Sequence, residues 1–184
     1  QNLIVLPKKA TCIRLSPDKP PELTPRTEQK PLLKGVLKEY SPISLKTLYD
    51  KESVLLWNEY VQRYHPLKYR RPFGNWLRYF LMSNNEPLGC LLISGAAKTL
   101  HHRDQWINWS IPQRRRNLSW VINNSRYLIF PWVQIPHLAS HVLGQLTRRV
   151  ALDWEERWGY RPVLMETFVD PERYSGTCYK AAGW

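Results

Sequence analysis

Residues 126–169 read RYLIFPWVQIPHLASHVLGQLTRRVALDWEERWGYRPVLMETFV, and this stretch decides the fold. Two apolar runs, residues 126–133 and 162–169, are typical of buried strands. Between them an apolar residue recurs every four positions, which predicts one long helix: Leu138, Val142, Leu146, Val150, Trp154 and Trp158. Because a strand–helix–strand crossover of this length favours parallel pairing, we predict an α/β or α+β fold with a mixed sheet and flanking helices.

The segments upstream extend this prediction to an ordered series of elements. Residues 50–64 have helical apolar spacing, with Asp50 as a cap and Pro66 as a stop. Residues 76–82 and 88–94 flank the turn sequence SNNEP and predict a β-hairpin. Its second strand is apolar on both faces and is therefore expected in the interior of the sheet.

A second helix is predicted to begin at Ser110, which forms a capping-box pattern with Gln113. Its buried face would be formed by Leu118, Val121 and Ile122, and Asn123-Asn124 would end it. A short helix is expected after the turn at Ser175-Gly176.

The amino-terminal part differs in composition from the rest. Residues 16–31 contain five prolines, a density that disfavours helix interiors and sheet ladders. We therefore divide the chain into an extended Pro-rich arm, residues 1–31, and a single domain, residues 32–184.

The charge points to an acidic partner. The chain has 27 Lys+Arg and 15 Asp+Glu, a formal net charge of +12, and such an excess most often serves contact with nucleic acid. Tyr69, Trp76 and Trp109 lie near the basic clusters and are candidates for base stacking. The alternative is an ordinary solvated basic surface. The predicted nucleic-acid contacts are Lys68, Arg70, Arg71, Arg114, Arg115, Arg116, Arg148 and Arg149.

Cysteine usage and hydropathy indicate the compartment. Three widely spaced cysteines give no disulfide framework, which fits a reducing cytoplasm. Charged residues interrupt every apolar stretch, so no transmembrane segment and no membrane partner is predicted.

Catalytic candidates lie near the end of the chain. Glu166 stands between apolar neighbours, a setting for a general base or acid, although a structural carboxylate held by an arginine or backbone N–H groups is the alternative. Tyr179 is a candidate proton donor. The backbone N–H groups of Leu138, Ala139 and Ser140 open the long helix and would face an anion such as a cofactor phosphate, or form a plain strand-to-helix turn.

No metal site is predicted. His137 and His141 are four residues apart on one helix, but no acidic residue stands between them as in the zinc-protease signature. Hydrogen-bonding or solvated histidines are the preferred interpretation there.

Several stretches resemble a known family. RDQWINWS at 103–110, NNSRYLIFPWV at 123–133, and residues 137–184 together resemble the DruA family of the Druantia anti-phage defence system. Relatives of that family occur beside transposases in bacterial mobile elements. The resemblance implies a role in phage defence or mobile-element biology, with other defence-system proteins as partners.

The order of elements is also similar to that of the GNAT acyltransferases. This resemblance implies a GNAT-like fold, acyl-CoA as a cofactor cradled by Leu138, Ala139 and Ser140, Tyr179 as general acid and Glu166 as base. The glycine-rich pyrophosphate loop of those enzymes is replaced here, and their last carboxyl-terminal strands would be missing from a chain shortened at Trp184. Three hypotheses follow: a nucleic-acid-contacting defence protein, an N-acyltransferase, and a catalytically inert partner-binding domain.

Overall fold

The computed structural model describes residues 19–184, which contain seven strands and five α-helices. The first half holds β1 (Leu33–Lys34), β2 (Ile43–Thr47), α1 (Lys51–Tyr64), β3 (Trp76–Ser83) and β4 (Glu86–Gly95). The second half holds α2 (His101–Ile107), α3 (Ile111–Asn117), β5 (Val121–Ile129), β6 (Val133–Gln134), α4 (Leu138–Trp158), β7 (Leu164–Thr167) and α5 (Thr177–Ala181).

The main sheet has five strands in the order β2-β3-β4-β5-β7. The first three pairings are antiparallel, whereas β5 and β7 are parallel and joined by α4. The mixed sheet and its parallel crossover are thus confirmed. β1 and β6 form a separate two-stranded parallel sheet.

The apolar stripe of α4 faces the core, as its four-residue spacing predicts. Leu138, Val142, Leu146, Val150 and Trp154 are all buried. The helix ends at Gly159, whose φ of 76° suits glycine in the left-handed region. Half-buried Trp158 completes the stripe and packs against the core.

The predicted β-hairpin is also confirmed. Asn84 and Asn85 have φ values of 46° and 66°, the positive values that a tight two-residue hairpin turn requires. β4 is interior, between β3 and β5, and residues 88–93 are buried on both faces. At Gly89 a Cβ atom would lie 2.2 Å from the carbonyl oxygen of Leu128, so the two strands approach too closely for any side chain.

The second helix was predicted too long. α3 begins at the predicted cap Ser110 but ends at Asn117, and one 3₁₀ turn leads directly into β5. Val121 and Ile122 are therefore strand residues, and Asn123-Asn124 continues the strand. The physical reason is that Val121 and Ile122 are β-branched, which favours a strand, and that β5 forms backbone hydrogen bonds with β4 on one side and β7 on the other. Sheet pairing outweighs the usual role of asparagine as a breaker.

The described part of the Pro-rich arm folds onto α1. Thr27 is fully buried, and its hydroxyl donates to Glu59 (2.6 Å), as does the Thr24 hydroxyl (3.1 Å). Burial acts to raise the pKa of Glu59, but these hydrogen bonds hold it below its ordinary value. Arg63 donates to the Thr24 carbonyl (2.9 Å). Residues 1–18 of the predicted arm lie outside the described residues.

Helix length and polarity bear on the membrane prediction. Within residues 19–184, no helix combines the length and apolar character needed to cross a bilayer.

Candidate functional site

A cavity of about 880 Å³ opens where β5 and β7 separate. Their pairing ends at Asn124 opposite Thr167, whereas β5 continues to Ile129. We call this space the wedge cavity; its walls come from the end of α1, from β5 and from the segment running through α5, and include Tyr64, His65, Asn124, Ser125, Tyr127, Thr167, Phe168, Tyr174 and Tyr179.

A β-bulge shapes this part of β5. Leu92 pairs with Arg126 and Ile93 with Asn124, so Ser125 is an extra residue without an opposite partner on β4. A bulge bends its strand and re-aims the side chains beside it. The Ser125 hydroxyl lies 3.2 Å from that of Ser94 and 3.4 Å from the Leu92 carbonyl oxygen.

One wall of the wedge cavity is built from polar and phenolic groups. The side-chain amide of Asn124 donates through Nδ2 to the Tyr179 hydroxyl (3.1 Å). The Thr167 hydroxyl donates to the backbone carbonyl of Asn124 (3.3 Å). Burial raises the pKa of Tyr179, so its phenol stays protonated at neutral pH. Tyr127 donates to the Ala139 carbonyl (2.8 Å), and burial holds its pKa well above the ordinary value.

Asn124 has one polar atom without a partner. Its side chain is 4% exposed and forms part of the cavity wall, and its Oδ1 atom accepts no hydrogen bond from any residue in the range 19–184. Buried side-chain oxygens in folded proteins are nearly always paired. An unpaired one in a cavity wall marks a place where a donor from a ligand or water is expected.

His65 lies on the α1 side of the same cavity. Its Nδ1 accepts from the Leu67 N–H (3.1 Å), and burial, together with the nearby Arg126, lowers its pKa to about 4. The imidazole is therefore neutral at physiological pH. The hydrogen bond from the Leu67 N–H to this ring holds the start of the loop that leads to Lys68.

That loop carries cations to the rim of the wedge cavity. A second cavity of about 580 Å³ is lined by Pro66, Leu67, Lys68, Arg70 and Arg126, and the first two residues also line the wedge cavity. We call Lys68, Arg70 and Arg126 the cationic cluster.

Within residues 19–184, no carboxylate neutralises the cationic cluster. Arg126 donates to the carbonyl oxygens of Lys68 (3.3 Å) and Ser125 (2.6 Å). Burial and the repulsion of Arg70 lower the pKa of Arg126. Among the described residues, none of the three cations forms an ion pair. In the same loop Phe73 leaves 94% of its surface exposed.

The other predicted basic residues are on separate elements. Arg114 on α3 forms an ion pair with Asp104 (2.9 Å), while Arg115 and Arg116 are exposed. On α4, Arg148 is exposed, but Arg149 binds Asp153 (2.8 Å) and a carbonyl of β2. Arg71 belongs to the loop of the cationic cluster and is exposed.

Glu166 is part of an ion-pair network. Arg103, whose side chain is 4% exposed, donates to Glu166 (3.2 Å) and to Asp104 (3.0 Å), and the Ala97 N–H also donates to Glu166 (3.1 Å). Because neighbouring residues of a strand face opposite sides, Glu166 faces away from Thr167 and Tyr179. The structure therefore does not bring Glu166 and Tyr179 together.

The amino-terminal turn of α4 is linked to the wedge cavity by Tyr127, which lines the cavity and donates to Ala139. Leu138 is buried and its N–H donates to the Ile135 carbonyl (3.3 Å). The Ser140 hydroxyl donates to the His137 carbonyl (3.1 Å), and the Ala139 carbonyl accepts from Tyr127. None of Leu138, Ala139 and Ser140 lines the wedge cavity.

Sequence reasoning missed Asn124, Tyr127, Arg126 and His65 as site residues. The sequence did carry a signal for Asn124, because two consecutive asparagines next to apolar residues are unusual in a buried strand. Arg126 carried no signal, because its proximity to Lys68 depends on the sheet register.

Comparison with known proteins identifies a family. A family model described as Druantia protein DruA matches residues 4–184, which is almost the whole chain. No curated protein and no solved structure matches this chain significantly.

Proposed function

The chain belongs to the DruA family, and from that premise we propose that it is a cytoplasmic component of Druantia-type anti-phage defence that contacts nucleic acid. Its partners would be nucleic acid and other proteins of the defence system. A mobile-element setting, beside a transposase, is the alternative context for the same activity.

The cationic cluster is the observation that carries nucleic-acid contact. Lys68, Arg70 and Arg126 line one cavity, Arg70 lies close enough to Arg126 to lower its pKa, and no described carboxylate forms an ion pair with any of the three. Such a cluster destabilises the free protein through repulsion and favours a multivalent anion. Phosphate oxygens suit it, because arginine donates two parallel hydrogen bonds to them.

The aromatic side chain in the same loop extends the fit beyond phosphate. Phe73 is almost fully exposed beside Arg70 and Arg71. An exposed ring next to cations is the arrangement that stacks on a base while the backbone is held electrostatically. We therefore expect binding with little sequence preference, since phosphate contacts and stacking do not read base edges.

Fluorescence anisotropy with labelled 20-nucleotide single strands, duplex DNA and RNA tests this proposal across about 50–300 mM salt. Replacement of Lys68, Arg70 and Arg126 by glutamine should weaken binding about tenfold or more at low salt. It should also reduce the slope of log K against log[salt] by about 2, because each phosphate contact contributes about 0.7–0.9.

The matched control replaces Lys34, Lys38 and Lys46 by glutamine, which removes the same charge from exposed positions that do not line the cavity of the cationic cluster. This control should retain most of the affinity and slope. Equal losses in the two triple variants would mean that net charge alone is responsible, and the proposal would then be rejected.

A second candidate is acyl-CoA-dependent transfer by a GNAT-like fold. The wedge cavity between two diverging parallel strands, with a bulge and a protonated Tyr179 in its wall, favours it. An acyl-CoA bound there would supply a thioester whose acyl group passes to an acceptor amine, and Tyr179 would give a proton to the departing CoA thiolate. Glu166, on the other face of the sheet, would act only by supporting β7, and Leu138, Ala139 and Ser140 would contribute through Tyr127.

Calorimetry against acetyl-CoA tests the second candidate. Saturable binding by the native chain, with product formation abolished in Tyr179→Phe at unchanged affinity, is the expected result for a transferase. If neither acetyl-CoA nor nucleic acid binds, the third hypothesis, an inert partner-binding domain, is the one that remains.

A further inference from the structure

We propose that the wedge cavity receives one unstacked nucleotide of a single strand while the cationic cluster holds the phosphates beside it. This inference rests on the proposed nucleic-acid contact and deepens it by naming the substrate class. It follows from the adjacency of the two cavities, both of which are lined by Pro66 and Leu67. A strand that crosses the cationic cluster therefore passes the opening of the wedge cavity.

The size and aromatic lining of the wedge cavity suit a base. Its volume of about 880 Å³ lies within the range of about 300–1,000 Å³ that small-molecule sites occupy. Phe168 and Tyr174, which are 55% and 58% exposed, line it and offer ring faces for stacking. A base within a duplex has its faces covered and its edge paired, so only an extruded or single-stranded base can enter.

The polar wall provides groups that recognise a base edge. Asn124 Oδ1 lacks a donor among the described residues, and the exocyclic amines and ring N–H groups of bases are donors of the required kind. The Tyr179 hydroxyl lies 3.1 Å from the other end of the same amide, so the two groups form one continuous polar edge. Enzymes and readers that accept an extruded base recognise it in this way, by hydrogen bonds to its edge.

The charges at the opening favour an anion on the side of α1. Arg173 lines the wedge cavity and is paired with Asp170 (3.5 Å), whereas the cationic cluster forms no ion pair with any described residue. The phosphates are therefore expected along Lys68, Arg70 and Arg126, and the base between β5 and β7.

The test uses a 12-nucleotide single strand that carries 2-aminopurine at one central position. Entry of that base into the wedge cavity removes it from its neighbours, and we expect its fluorescence to change at least threefold on binding. Asn124→Ala should reduce that change by half or more and weaken binding about fivefold. The matched control is Asn123→Ala, because Asn123 is 7% exposed and its Oδ1 also lacks a described partner, but it faces the other side of the sheet.

A second variant guards against failure to fold. Thr177 is exposed at the start of α5 and lines the wedge cavity, so Thr177→Trp fills the opening without altering the core. We expect it to abolish the fluorescence change while anisotropy binding stays within about threefold of the native value.

The outcomes separate this inference from the proposed function. Binding without any fluorescence change, or an equal change in Asn123→Ala, Asn124→Ala and Thr177→Trp, overturns the inference and leaves nucleic-acid contact standing. Absence of oligonucleotide binding overturns both. Tight binding of free dAMP or AMP that displaces the oligonucleotide, or displacement of it by acetyl-CoA, identifies a free nucleotide-containing ligand as the occupant instead.

Discussion

Replacing Arg103 by methionine should destabilise the fold strongly, because Arg103 is the centre of the ion-pair network behind β7. Its guanidinium donates to Glu166 (3.2 Å), to Asp104 (3.0 Å) and to the Ala97 carbonyl (2.9 Å), and its side chain is 4% exposed. Without it, the Ala97 N–H is the one described donor that Glu166 keeps. Loss of one partner of a buried ion pair costs about 3–5 kcal/mol.

For a chain of this length, that loss corresponds to a decrease in Tm of roughly 6–20 °C. Guanidinium unfolding followed by tryptophan fluorescence measures the free energy directly. Arg26→Met is the control, since it breaks a pair with Glu52 whose side chains are 58% and 76% exposed, and exposed pairs contribute about 0–1 kcal/mol.

The double variant Arg103→Met/Glu166→Leu sharpens the test. It removes both charges of the pair and leaves Asp104 bound to Arg114 (2.9 Å), so it should recover a substantial part of the lost stability. The reasoning is refuted if Arg103→Met costs no more than Arg26→Met, or if the double variant is less stable than Arg103→Met alone.

Other predictions concern the sheet, α4 and the wedge cavity. Gly89→Ala should cost about 2 kcal/mol or more, because its Cβ atom would lie 2.2 Å from the Leu128 carbonyl oxygen. Gly144→Ala should instead add about 0.5–1 kcal/mol, since it lies inside α4 and the nearest atom to a Cβ there is 3.7 Å away; a sign opposite to either, measured by urea unfolding, contradicts the packing described. His65, with a folded pKa of about 4 against an ordinary 6.5, is protonated first in the unfolded state as the pH falls through 6.5. Stability should therefore fall with it, by about 2 kcal/mol more between pH 7.5 and pH 5 than in His65→Gln; equal pH profiles of the two proteins would exclude this contribution.

The fold could be predicted from sequence wherever one period dominated a segment. The four-residue spacing of α4 and the Asn84-Asn85 turn each specify their structure locally, and both predictions are confirmed. The prediction failed at residues 118–124, where Asn123-Asn124 indicated a stop. The strand there is imposed by β4 and β7, which lie far away in sequence, and no local pattern reports their pairing.

The candidate site was less accessible to sequence reasoning, because it depends on register. The Ser125 bulge determines which side chains of β5 face α5 and which face α1. With it, Asn124 and Tyr127 face α5, and Arg126 reaches the loop that carries Lys68. The basic clusters that sequence treated as one surface lie on three elements, and only the one after α1 adjoins the wedge cavity.

Three features of the wedge cavity and its rim each cost free energy in the unliganded chain. The bulge interrupts the β4–β5 ladder, Asn124 Oδ1 is buried without a described partner, and the cationic cluster repels itself. By contrast, the carboxylates of Glu59 and Glu166 are each held by described donors. A fold that satisfies its polar groups in those places, yet leaves a donor-seeking oxygen beside anion-seeking cations, is complementary to a ligand that carries both a hydrogen-bond donor and a phosphate. Since these costs adjoin one another, a single ligand offsets them together, and that is why we place a nucleotide rather than a bare anion at this site.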